Sequence, residues 1–345
     1  MTTNGPRSDG AAVRTRQWVD GVLKSENFAL DELSEHVHQD GALVWVDLCN
    51  PDHGLIGELA DELSLDPRAV EDVVEHTERT KATRYATHTF LTVYATALGV
   101  QIPGAIESRL LTARVSIFVL PTAVVTVRHE SDPARPVFDI DDVVRRWDDN
   151  TDLLRKGSPA LLHGILDVVV DGQFDTIQQL DDAIESLEDG LFDDRSQTRQ
   201  LQRDTYRLRK ELVELRRIVL PMREVVNTIM RRSALGGDSA ELEGWYSDLY
   251  DHVIRAAEWT ESLRDMVTTV FETNLSLQDA RLNTIMKKLT GWAAIIAVPT
   301  LVTGWYGQNI PYPGYGNNWG VWGSAVASVL AAVALYIGFK KRNWI

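Results

Sequence analysis

The sequence predicts an α+β soluble domain followed by one long helix and two C-terminal membrane-spanning helices. Three observations carry this prediction. Residues 291–308 hold no charge and are long enough to cross a bilayer as a helix. A polar loop at 310–320 leads to a second uncharged, mostly apolar run at Val321–Phe339. Before both, runs of β-branched residues alternate with helical patterns to about residue 150, and from there the chain reads as helix.

The basic residues orient the spans. Lys287 and Lys288 precede the first, and Lys340, Lys341 and Arg342 follow the second. Excess Lys and Arg mark the cytoplasmic side, so both termini are expected in the cytoplasm, with the 310–320 loop outside, in a plasma or inner membrane. Charge also separates the two parts. All 50 acidic residues lie in the first 286 positions, against 30 Lys and Arg, a net of −20. Such a domain does not suit nucleic acid or an anionic lipid surface, and it does suit cations. A single Cys49 excludes internal disulfides and fits a reducing compartment. The first 25 residues have no apolar core, so no secretory signal is expected.

In chain order, residues 1–14 are polar and aperiodic and are expected to be disordered. An α/β domain is expected over 15–150. It has a short helix at Phe28–His38, a strand at Ala42–Leu48, helices over His53–Ser64 and after Pro67, and strands at Thr89–Leu98, Ser108–Leu120 and Ala123–His129. A helix resumes at Val137–Trp147. This domain shows no nucleotide-binding glycine loop. His36, His38, His76, His129 and His252 fit no nucleophile or metal arrangement, so an enzyme is not expected.

Residues 151–237 are expected to form a helical hairpin. Its first arm, Pro159–Phe192, has ten acids and no Lys or Arg between Asp167 and Asp194. Its second, Gln197–Arg232, is basic and is expected to be one helix. The charges read either as two solvated faces that attract each other or as an acidic surface that gathers divalent cations.

A long helix is then expected over 238–309, with its membrane part at about 290–308. Leu249, Val253, Ala256, Thr260, Leu263, Val267, Val270, Asn274 and Leu277 alternate at spacings of four and three, a heptad seam that argues for parallel self-association. A helix over 239–308 would be about 105 Å long at 1.5 Å per residue. The pattern continues as a stripe of small and polar residues, Asn283, Met286, Thr290, Ala293, Ala297, Thr300, Gly304 and Gly307. Two readings stay open for it: close helix packing, or the lining of a water-filled pore in a ring of identical helices. The loop at 310–320, a second span at 321–339 and a basic tail at 340–345 complete the chain.

Several motifs resemble one family in order. They are Val70-Glu71-Asp72-Val73, Leu215-Arg216-Arg217 with Leu220-Pro221-Met222-Arg223-Glu224, Asp248-Leu249-Tyr250-Asp251-His252, and the run from Asn283 through Pro299 to Gly304-Trp305-Tyr306-Gly307-Gln308-Asn309. The basic tail Lys340-Lys341-Arg342-Asn343-Trp344 agrees too. The set resembles the CorA family of divalent-cation channels, chiefly for magnesium. The resemblance implies a homopentamer with a funnel-shaped cytoplasmic domain, embedded in lipid, whose partners are its own copies and divalent cations. It implies that Gly307, Gln308 and Asn309 form the pore mouth, with Asn309 binding a hydrated cation. It further implies that Asn283, Met286, Leu289, Ala297, Thr300 and Gly304 line the pore, and that Asp72 of one subunit and Asp248 of the next hold a regulatory Mg2+. Co2+, Ni2+ and Zn2+ are the other ions it implies.

The chain departs from the family pattern twice. Gln308 stands where the family has Met, and the 310–320 loop has no acid, holding Tyr312, Tyr315, Asn317, Asn318 and Trp319 instead. Both departures leave the ion open. A zinc transporter on the same scaffold is one alternative, and a non-conducting membrane-anchored metal sensor is another.

Overall fold

Strand β3 (Ala42–Cys49) is buried along its whole length, and the first of two compact units, 1–270, is built around it. In this computed structural model the described residues are 12–75, 78–100, 108–131, 136–148, 155–191, 198–233, 240–308, 311, 312 and 314–345. Seven described strands form one sheet: β1 (Ala12–Val19), β2 (Val22–Glu26), β3, β4 (Lys81–Arg84), β5 (Thr89–Leu98), β6 (Leu110–Val119) and β7 (Ala123–His129). Their order is β2-β1-β3-β7-β6-β5-β4. Only the central β3–β7 pair is parallel, with Asp47 beside Thr126, and the other pairs are antiparallel.

Strand alternation feeds two cores. Val44, Val46 and Leu48 face one side with Phe90 and Phe118, under helices α1 (Leu33–Val37), α2 (His53–Glu62) and α3 (Pro67–Val74). Leu43 and Trp45 face the other side, covered by α4 (Ile140–Asp148), α5 (Ser158–Leu191), α7 (Met222–Ser233) and the start of α8 (Ala240–Tyr306). Helix α6 (Thr198–Val219) precedes α7. Asp47 sits in the second core, where Arg128 of β7 binds it through Nη2 at 2.8 Å and Thr126 donates to it at 2.7 Å. Helix starts follow capping rules: Asp52 accepts from the Leu55 N–H at 2.8 Å, and Asp66 accepts from Arg68 just before Pro67 at the first helical position.

The structure corrects several expectations. Residues 12–14, expected in a disordered N-terminus, open β1, and β2 and β4 appear where no strand was expected. The expected helix at Phe28–His38 is a 3-10 turn at Leu30–Glu32 followed by α1. The single basic helix expected over Gln197–Arg232 breaks into α6 and α7 around Pro221, which lacks an N–H and clashes with the preceding turn. Most consequentially, Leu249, Val253, Ala256, Thr260, Leu263, Val267 and Val270 are all buried within one protomer. Leu249 and Val253 join the second core, and Arg216 of α6 binds Glu261 of α8. That seam is closed by the chain's own helices and is not free for a second copy.

The second unit, 271–345, holds the rest of α8 and helix α9 (Asn318–Lys341). Helix α9 takes in Asn318, Trp319 and Gly320, which were expected in the loop. Pro299 lies inside α8 without ending it. Beyond α9, Trp344 donates its N–H to Phe339 at 2.9 Å and stacks on that ring.

Candidate functional site

Within the second unit, α8 has two unlike faces. Gly291 is buried, and Ala294, Ile295, Val298 and Val302 are half-buried. Around Gly291 a β-carbon would come within 3.0 Å of Ile345 and 3.7 Å of Phe339, and Trp292 lies 6.4 Å from the Tyr336 ring. Asn283, Met286, Leu289, Ala297, Thr300 and Gly304 occupy the opposite side, within a sector of roughly 120° at 3.6 residues per turn. All six are exposed, and Met286 and Leu289 expose 57% and 62% of their surfaces. Ala297, Thr300, Gly304 and Gln308 share an open groove of about 720 Å³ with Val298, Leu301 and Trp305. Every residue from 279 to 290 is exposed, so exposure singles out no face there, whereas between 291 and 308 α9 leaves Ala297, Thr300 and Gly304 uncovered.

Small residues make this surface smooth, and Thr300 makes it wettable. Its hydroxyl donates to the Ile296 carbonyl at 3.3 Å, which leaves lone pairs outward. The helix ends in a turn at Gly307 and Gln308, whose N–H groups bond the carbonyls of Thr303 and Trp305. Past it, Tyr306, Tyr312 and Tyr315 stack edge to face at 4.7 and 5.4 Å. Gly314 has φ +93° and lies so close to Gly320 that a side chain there would meet its backbone at 3.1 Å. Asn309, on which the selectivity expectation rests, lies outside the described residues.

The two expected regulatory carboxylates sit on opposite faces of the sheet. Asp72 is near the end of α3, whose Ala69 and Val73 are buried in the first core. Its carboxylate is 2.8 Å from Lys81 Nζ, and the same ammonium is 2.8 Å from Glu78. Burial alone would push the Lys81 ammonium down, but its hydrogen bonds to Asp72 and Glu78 outweigh this and hold it above the ordinary value. The hydrogen bond from Lys81 lowers Glu78. Asp248 is one turn before His252 on α8, and its side chain is 75% exposed. A protomer therefore does not join the pair itself.

One arrangement escaped the sequence reading. His252 comes together with Asp167 and Asp171, three possible ligand atoms within 4.8 Å of one another. Asp167 and Asp171 are one turn apart on α5, and both bind Arg146 of α4, at 3.1 and 2.7 Å. Burial, with Asp171 adding repulsion, raises Asp167. The spacing of four on one helix was legible. The inserted Arg146, 21 residues away, was not, because it depends on how α4 packs on α5. At this end of α5 the acids pair with that arginine of α4 and not with the basic arm.

The chain is similar to several known proteins. The chain is 29% identical over 326 residues to the "Putative metal ion transporter YfjQ" of Bacillus subtilis (strain 168), covering 90% of this chain and 92% of that one. It is also 29% identical over 192 residues to the "Cobalt/magnesium transport protein CorA" of Thermotoga maritima, covering 55% and 54%. Among solved structures, "The complete structure of CorA magnesium transporter from Methanocaldococcus jannaschii" superposes with a TM-score of 0.73 at 20% identity, over 99% of this chain and 100% of that one. The profile of the family described as "CorA-like Mg2+ transporter protein" matches residues 40–341, and the chain belongs to that family.

Proposed function

We propose that the chain assembles as a homopentamer in the cell membrane and conducts divalent cations, Mg2+ first among them, through a pore lined by α8. The exposed stripe from Asn283 to Gly304 carries this reading. Apart from Met286 and Leu289 it is small or polar, it lies opposite the face that α9 covers, and it is bordered by the exposed apolar Trp292, Ile296, Leu301 and Trp305. A face turned to lipid would carry residues like those flanks; a face turned to water can carry Asn283 and Thr300. Neither span contains a carboxylate, so the ion passes without being stripped to bare metal by a charged ligand. Mg2+ sheds its water reluctantly, and a ring of Asn309 amides at the mouth of Gly307, Gln308 and Asn309 can accept hydrogen bonds from the intact hydration shell.

Both termini then face the cytoplasm, and the acidic domain reads metal there. Asp72 and Asp248 offer hard carboxylate oxygens of the kind Mg2+ takes. Bound between neighbouring subunits, the metal would draw the two carboxylates together and hold the pore closed. Without it they would repel and release the interface. The names of two relatives support Mg2+ and Co2+ as the ions moved, and Ni2+ and Zn2+ are the competitors to test.

The test is cation uptake by liposomes containing the purified protein, with Mg2+, Co2+, Ni2+ and Zn2+ in parallel, with and without a proton gradient. Mg2+ uptake indifferent to the gradient, and lost in Asn309→Ala without loss of the oligomer, is the expected result. Zn2+ uptake that requires the gradient would make the protein a zinc transporter on this scaffold. No uptake of any ion from intact oligomers would leave a metal sensor.

A further inference from the structure

We infer that Lys81 is a built-in cation that competes with the regulatory metal for Asp72 and so sets the metal concentration at which the protein closes. The inference rests on the reading of Asp72 as a metal ligand. Lys81 Nζ lies 2.8 Å from both the Asp72 and the Glu78 carboxylates, and the three side chains are only 23%, 20% and 15% exposed. This is not a lysine that wanders over the surface. Strand β4 pairs with β5 in fixed register, Lys81 beside Thr92, and the Tyr94 hydroxyl binds the Glu78 carbonyl. On the other side, Arg114 of β6 binds the carbonyls of Val73 and Glu75, which fixes the end of α3 where Asp72 sits.

The geometry has two consequences. One oxygen of Asp72 is already engaged, so an incoming cation must share the carboxylate or displace the ammonium. The ammonium also repels that cation. A unit charge and a divalent ion about 5 Å apart interact by enough, even at the dielectric of water, to change affinity about tenfold. Glu78 keeps the ammonium in place, and the three charges together leave the site at net −1 rather than −2. The regulatory site is thereby tuned to bind metal only when metal is plentiful.

The experiment follows chymotrypsin digestion of the detergent-solubilised full-length protein as MgCl2 is titrated at constant ionic strength. Lys81→Met should lower the half-protecting Mg2+ concentration about tenfold. Lys81→Gln, which keeps a polar partner and guards against misfolding of the first variant, should lower it similarly, and Lys81→Arg should behave as the native chain. In an Asp72→Asn background, Lys81→Met should shift nothing. If Lys81→Met and Lys81→Gln keep or raise the native concentration while Asp72→Asn abolishes protection, Lys81 does not compete and the metal reading of Asp72 stands. If Asp72→Asn is protected like the native protein, the metal reading of Asp72 falls, and the role of Lys81 falls with it.

Discussion

The two units use the same kinds of residue to opposite ends. In the α/β unit Trp18, Phe90 and Phe118 are at most 1% exposed. In the C-terminal unit Leu301, Trp305, Trp319 and Trp322 are 65% to 74% exposed. The first unit satisfies its apolar side chains within one chain, through two cores on the two faces of a sheet. The second leaves its apolar surface exposed on the protomer. The lesson is that burial separates what a residue type alone cannot. The heptad seam of α8 looks like an association surface in sequence and is closed in the fold, whereas the quieter stripe after Asn283 stays open.

The strongest challenge to this contrast is Gly304→Leu. A β-carbon at Gly304 meets nothing within 4 Å in the protomer, so the substitution leaves the chain's own packing intact. If the stripe lines a pore, a ring of leucines there should cut cation flux at least about tenfold with the oligomer preserved. If the stripe is instead a close-packed helix interface, the oligomer itself should dissociate on size-exclusion chromatography.

A second test sharpens the other side. Arg128→Met leaves Asp47 charged and buried without its partner. It should cost about 3–5 kcal/mol, read by thermal unfolding of the α/β signal. The double variant Asp47→Leu with Arg128→Met should recover most of that loss, because replacing both charges removes the need for pairing.

The smallest effect concerns acid. The hydrogen bond from Arg68 holds the Asp66 carboxyl at about 2. A carboxyl depressed in the folded state contributes stability that is complete above its unfolded value, near 3.9, and fades as pH falls towards 2. In acid-unfolding curves, Asp66→Asn should lower stability slightly in the neutral range, where that contribution is complete, and converge on the native chain as pH falls towards 2.

Much of this architecture was legible in the sequence. Strands β3, β5, β6 and β7 declared themselves as apolar β-branched runs, and the two spans did so by length and lack of charge. Strand β1 did not, because Arg14, Thr15, Arg16 and Gln17 give it the composition of a loop, and its order comes from pairing with β3. Pro221 and Pro299 were equally visible, yet one splits a helix and the other does not, and local sequence alone does not separate them. In the candidate site, a stripe of mostly small and polar positions was readable from spacings of three and four, but Leu289 and the pore-lining set came from the family resemblance. The partners of the site's acids were not readable. Lys81 against Asp72 and Arg146 against Asp167 and Asp171 are tertiary pairings between separate elements.

The most direct measurement places single cysteines on α8 in a Cys49→Ser background and follows Mg2+ flux after adding a membrane-impermeant cationic thiol reagent. Thr300→Cys on the stripe should lose flux on labelling, whereas Trp305→Cys on the flank should keep it. Flux that survives at Thr300 and is lost at Trp305 would contradict the pore-lining face assigned to α8.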